Sequence, residues 1–134
     1  MIAKKGSGKF SVQQAIKEAE KTLSSVEASE DEYHDPRWQA IIAVGEYIET
    51  NPHEVWCFIR KWGTHPSSDL RAAIATCLLE HLLEYHFDKY FPLVKQTCTR
   101  NRRFADTFQN CFPFGQAMEP KNLKSFKSLK NKLD

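Results

Sequence analysis

The sequence predicts an all-α fold, which the repeat described below arranges as a short right-handed α-α superhelix of antiparallel helix pairs. Two observations predict it: apolar residues recur at spacings of three and four over most of the chain, and helix-start signals separate those segments. The strongest segment is Ser68–His86, where Leu70, Ala73, Ile74, Cys77, Leu78, His81, Leu82 and Tyr85 fall on one helical face. Ala72, Ala75 and Leu79 add a second apolar side, which places this helix at the centre, covered from more than one direction. Ser67 or Ser68 can cap its first amides, and Asp69 puts a negative charge at the positive end of the helix dipole.

About six helices and a basic C-terminal one are expected around it. Residues 1–10 are rich in Gly and Lys and are expected to be disordered up to Ser11, which with Gln14 makes a capping box. Val12, Ala15, Ile16, Ala19, Leu23 and Val26 form the single apolar stripe of the first helix. The acidic run Glu27–Glu32 reads as its fraying end and a linker. Asp35-Pro36 starts the second helix, which carries Trp38, Ile41, Ile42, Gly45 and Ile48 to about Thr50. Asn51-Pro52 with Glu54 starts the third, with Val55, Phe58, Ile59 and Trp62 inward, Trp56 on another side, and Gly63 suited to a left-handed stop.

After the central helix, Phe87-Asp88 is expected to turn the chain into a helix with Tyr90, Phe91, Leu93, Val94 and Cys98 on its apolar face and Pro92 in its first turn. Asn101 caps a further helix containing Phe104, Ala105, Phe108, Cys111 and Phe112, which Pro113 and Gly115 end. From Glu119 the tail is different in kind. Leu123, Phe126, Leu129 and Leu133 lie near one face, and Lys121, Lys124, Lys127, Lys130 and Lys132 cover the rest. So short a helix needs something to dock on. The expected site is the last helices of the chain, with an arm for acidic partners or anionic lipids as the alternatives. The domain division is therefore an N-terminus at 1–10, a helical domain at 11–118 and a basic tail at 119–134.

A chain of 134 residues fits one domain with a self-sufficient core. Its net charge of +2 makes no general case for nucleic acid or membrane, so local patches carry more weight than the total. No apolar run approaches the roughly 18 residues of a spanning helix, and Met1–Lys9 has no apolar run behind its basic residues. Cys57, Cys77, Cys98 and Cys111 are too irregularly spaced for a zinc ribbon or a redox pair. They read as small buried hydrophobes on helices in a reducing, cytoplasmic setting.

An offset of 34 residues superposes Asp35 on Asp69, Arg37 on Arg71 and Glu46 on Glu80, each match opening a helix. Asp35-Pro36-Arg37-Trp38 with Ala40, Ala43 and Gly45, and Asp69-Leu70-Arg71 with Ala72, Ala73 and Leu79, resemble the aspartate–arginine–alanine start of HEAT repeats in the HEAT/armadillo class, over about residues 35–112. The resemblance implies that Asp35, Arg37, Asp69 and Arg71 are structural residues tying neighbouring repeats together. It also invites comparison with HEAT-like DNA alkylation-repair glycosylases, although no stretch matches their catalytic aspartate and tryptophans.

No catalytic residue, cofactor or metal site is assigned. His81 and Glu84 share a helical face but lack a third ligand, and His81-Leu82-Leu83-Glu84-Tyr85-His86 has one residue too many for an inverted zinc-protease motif. Candidate binding residues are Trp56, for stacking on a base, with Arg60 and Lys61 beside it, the turn residues Arg100, Arg102 and Arg103, and Lys124 and Lys127 on the tail. The expected function is a non-enzymatic helical-repeat scaffold or protein-binding module of the bacterial-cytoplasm type, with another protein as partner. The alternative is a nucleic-acid-binding protein related to the alkylation-repair glycosylases. An apolar or acidic groove favours the first, and a basic groove with an exposed Trp the second.

Overall fold

Short polar caps and prolines set most of the helix boundaries. The computed structural model describes residues 8–25 and 35–134: α1 (Gly8–Ser25), α2 (Pro36–Gly45), α3 (Pro52–Trp62), α4 (Ser68–Ile74), a π-helical turn (Ala75–Leu79), α5 (Glu80–Arg100), α6 (Arg102–Gln109), a 3-10 turn (Gly115–Met118) and α7 (Pro120–Leu133). The fold is all-α, with no strand among the described residues. Asp35 Oδ1 accepts from the Arg37 amide at 2.8 Å with Pro36 in the first turn. Ser67 Oγ accepts from the Leu70 amide and Asn101 Oδ1 from the Phe104 amide, so each cap satisfies a donor that has no partner within its helix.

Several boundaries differ from the sequence reading. α1 begins at Gly8, which leaves Ser11 inside the helix rather than at its cap. Residues 1–7, Val26 and the acidic run Glu27–Glu32 lie outside the described residues. α2 stops at Gly45 rather than near Thr50, and the amides of Glu46, Tyr47 and Ile48 tighten into bonds to the carbonyls three residues back. Asn51 makes no side-chain cap to α3; its Oδ1 accepts from Thr50 Oγ1 instead. Gly63 is right-handed (φ −70°, ψ −5°), so its purpose is close approach, not a left-handed stop. A Cβ there would lie 2.7 Å from Ile59 O and 3.0 Å from Phe104 Cδ1.

The central helix runs through α4 and the π turn into α5, and breaks at His86 (φ −140°, ψ 46°), just before the expected turn at Phe87-Asp88. Pro92 consequently sits in the second turn after the break and not the first. Both Pro92 and Asp88, whose carbonyl loses its helical donor, are exposed, so water can replace that bond. α6 ends at Gln109, which leaves Cys111 buried in the following connection and Phe112 65% exposed. Both had been expected on the helix.

Packing bears out the centre of the chain. Ala73, Ile74, Ala75, Leu78, Leu79, Leu82 and Leu83 have no exposed surface. Leu78→Ala is therefore expected to cost about 2–5 kcal/mol, from lost transfer energy and an unfilled cavity. A loss below about 1 kcal/mol in urea unfolding would contradict this enclosure.

α7 docks against α6 and the connection that follows it. Phe126 and Leu129 are buried, with the Phe126 ring 5.0 Å from that of Phe108, while Leu123 and Leu133 are half-buried. Lys130 completes the joint: its Nζ donates to the carbonyls of Gln109 and Cys111 and lies 5.5 Å from the Phe108 and Phe126 ring centres. A cation thus meets the negative end of the α6 dipole over aromatic faces.

Candidate binding groove

The π turn decides which side of the central helix stays open. It inserts an extra residue into the helical register, so Leu78 and Leu82 turn into the core while Cys77 and His81 remain half-buried and Tyr85 is exposed. The stripe that looked like one inner face is divided in two. Opposite it, the end of α2 approaches the central helix closely, because Gly45 presents no side chain where a Cβ would be 3.2 Å from Leu78 Cδ2 and 3.4 Å from Cys77 O.

The result is an open groove of about 530 Å³. Gly45, Thr76 and Cys77 line it beside the apolar Ile42, Ile48 and Tyr85, and Glu46 and Glu49 supply carboxylates on the α2 side. His81 lies on the other side, its Nδ1 2.8 Å from Glu84 Oε1 and its Nε2 4.0 Å from Glu80 Oε1. The Phe114 ring stacks on His81 at 5.9 Å. His86 fixes the groove from behind, its Nε2 donating to Ile48 O across 3.0 Å.

The connection after α6 extends this surface. The Phe112 amide donates to the buried Glu80 carboxylate at 2.9 Å. Gln116 Oε1 accepts from the Phe87 amide left free by the kink, and its Nε2 donates to Tyr85 O. Gly115 crosses in the left-handed region (φ 53°), where a Cβ would be 2.5 Å from Glu84 Cγ. Phe112 to Gln116 is thereby strapped along Glu80–Phe87 beside the groove. The large exposed hydrophobics among the described residues are Ile42, Tyr85, Phe112, Phe114 and Met118. All lie in the groove or on this strap and its 3-10 turn.

Burial raises the Cys77 thiol above its ordinary range, so it is not poised as a thiolate nucleophile. Burial also raises the Glu80 carboxyl, against the opposing effect of the Phe112 amide. Cys98 is pushed up to about 12 and Cys111 upward by burial, as small enclosed hydrophobes. Cys57 departs from that expectation: it is exposed, with Sγ 3.8 Å from His53 Nε2. Among the described residues no three His, Cys, Asp or Glu side chains converge as metal ligands.

The sequence-derived binding residues do not form one site. Trp56 is 3% exposed, with ring centroids 6.2 Å from Tyr90 and 5.9 Å from Phe104, so it is a core residue and offers no face to a base. Arg60 is exposed on α3, and Lys61 pairs with Glu20 of α1 at 3.0 Å. Arg100, Arg102 and Arg103 are exposed around the Asn101 cap, and Lys124 and Lys127 are exposed on α7. Trp62 is buried and Trp38 half-buried.

Of the aspartates and arginines that the offset aligns, Asp35, Arg37 and Asp69 come together and Arg71 pairs elsewhere. Arg37 Nη2 bridges Asp35 Oδ2 at 3.1 Å and Asp69 Oδ2 at 2.7 Å. Arg71 does not bridge Asp69 in the same way: its Nη2 lies 2.9 Å from Asp106 Oδ2 and its Nη1 donates to the carbonyls of His65 and Pro66. Each arginine thus reaches an aspartate two helices further along the chain, from α2 to α4 and from α4 to α6. Neither a protein-family model, nor a curated protein, nor a solved structure matches this chain. Among the described residues no helix is long and apolar enough to cross a membrane.

Sequence reasoning missed Asp106 and the groove residues Glu46, Glu49 and Tyr85. Extending the aspartate spacing one more step past Asp69 would have pointed to the region of Asp106. Nothing in the sequence announced the π turn that opens the groove.

Proposed function

We propose that this chain is a non-enzymatic protein-binding module of the cytoplasm, built on HEAT-like helix pairs, and that its groove takes a basic amphipathic helix from a partner protein. The observation that carries the reading is the gathering of Ile42, Tyr85, Phe112, Phe114 and Met118 on and beside one groove. Contiguous exposed apolar surface of this kind is characteristic of docking sites. The groove carboxylates Glu46 and Glu49 select a cationic flank on the incoming helix, and the apolar residues take its hydrophobic stripe. The arginine relays from Arg37 to Asp69 and from Arg71 to Asp106 support the repeat reading. The burial of Trp56 and the carboxylates of the groove weigh against the nucleic-acid alternative.

The test is fluorescence anisotropy with a labelled Leu/Lys amphipathic model helix. Ile42→Glu and Tyr85→Ala are each expected to weaken binding about tenfold or more, equivalent to about 1.4 kcal/mol. Glu46→Gln with Glu49→Gln is expected to weaken it mainly at low salt, because exposed charge pairs are screened as ionic strength rises. Unchanged affinity in Ile42→Glu and Tyr85→Ala would remove the groove from consideration. Self-association of the free protein that Ile42→Glu abolishes would replace the partner helix with a second copy of the chain.

A further inference from the structure

We propose a second site, independent of the groove: the cleft between α5 and α7 binds a small phosphomonoester. On α7, Lys124, Ser128 and Lys132 follow one another at intervals of four, so they form a row along one helical face. On α5, Phe91 and Lys95 have the same spacing. The two rows border one cleft of about 290 Å³, with Leu129 beside them. Phe91 and Leu129 are 7% and 3% exposed, so packing holds the two helices in place and gives the cleft a fixed apolar floor.

Three lysines, Lys95, Lys124 and Lys132, line this space, and none has a carboxylate partner within 4 Å among the described residues. Lys61 and Lys130, by contrast, are each held by partners, Glu20 for the first and two carbonyls for the second. Like charges sharing a cleft repel one another, and a dianion relieves that repulsion while accepting hydrogen bonds from the ammonium groups and from the Ser128 hydroxyl. A phosphomonoester carries close to two negative charges at neutral pH. The cleft volume suits a phosphate with a sugar-sized substituent. Nucleic acid fits less well, because the Phe91 ring at the floor is buried and no exposed aromatic lines the cleft for a base to stack on.

Isothermal titration with ribose 5-phosphate tests the site, using inorganic phosphate, ribose and a short DNA duplex as comparison ligands. Ribose 5-phosphate is expected to bind, inorganic phosphate to compete with it, and ribose to have no effect. Lys95→Gln, Lys124→Gln and Lys132→Gln are each expected to weaken binding at least about fivefold, while Lys127→Gln, exposed on α7 but outside the cleft, leaves it unchanged. Melting curves check that each variant is folded. No binding of ribose 5-phosphate at millimolar concentration overturns the proposal. So does equal weakening by Lys127→Gln, or tighter binding of the duplex with a steep salt dependence, since either would make α7 a diffuse polyanion surface.

Discussion

Arg37→Ala is expected to lower stability by about 3–5 kcal/mol, the usual cost of breaking a buried ion pair from one side. Asp35 is 1% exposed and Arg37 6% exposed, and the guanidinium contacts both Asp35 oxygens as well as Asp69 Oδ2. Its hydrogen bonds with Asp35, followed by the attraction of both aspartates, outweigh burial and raise the guanidinium above its ordinary pKa. Without Arg37 the Asp35 carboxylate stays buried beside the α2 amide it caps and loses the guanidinium that contacts both its oxygens. Asp69→Ala should cost less, because that side chain is 42% exposed and water can replace the bond. Urea unfolding of the two variants measures both. If Arg37→Ala lost under about 1 kcal/mol, or less than Asp69→Ala, the buried relay would not be holding the helix pairs together.

Removing residues 119–134 is the other change with a large expected effect. Phe126 and Leu129 are buried and together contribute roughly 3–6 kcal/mol of apolar burial, from which the entropy of ordering α7 must be subtracted. Their loss also uncovers Phe108, and removing Lys130 leaves the Gln109 and Cys111 carbonyls without their donor. The truncated protein is expected to melt at a lower temperature and to self-associate through the uncovered aromatics. Apolar docking should respond little to added salt, whereas a joint held by lysine–anion contacts would weaken as ionic strength rises. Thermal melts at two salt concentrations and light scattering after gel filtration read these outcomes. An unchanged melting curve with no new self-association would mean that α7 is an arm and not a part of the fold.

Local chemistry was legible wherever one residue satisfies its own neighbours. Asp35, Ser67 and Asn101 cap the helices expected of them, since an N-cap bond spans only two or three residues. Asn51 failed by the same logic, because Thr50 competes for its side-chain oxygen. Trp56 was misplaced because periodicity within α3 shows one face at a time. Tyr90 and Phe104, which bury its other side, arrive from α5 and α6. The acidic, apolar groove could not be read because it depends on a register change in the π turn and on the distance between two helices.

The sequence by itself determined the all-α class, the central position of Ser68–His86 and the aspartate–arginine spacing, all of which rest on helical period and capping within a few residues. Tertiary structure alone decided that Arg37 reaches Asp69 and Arg71 reaches Asp106, that Phe112 and Phe114 stay exposed on the strap, and that three lysines border one cleft. The physical reason is range. A helix is specified by bonds between residues three and four apart, whereas a site is specified by which helix faces meet, and that follows from packing the whole chain at once.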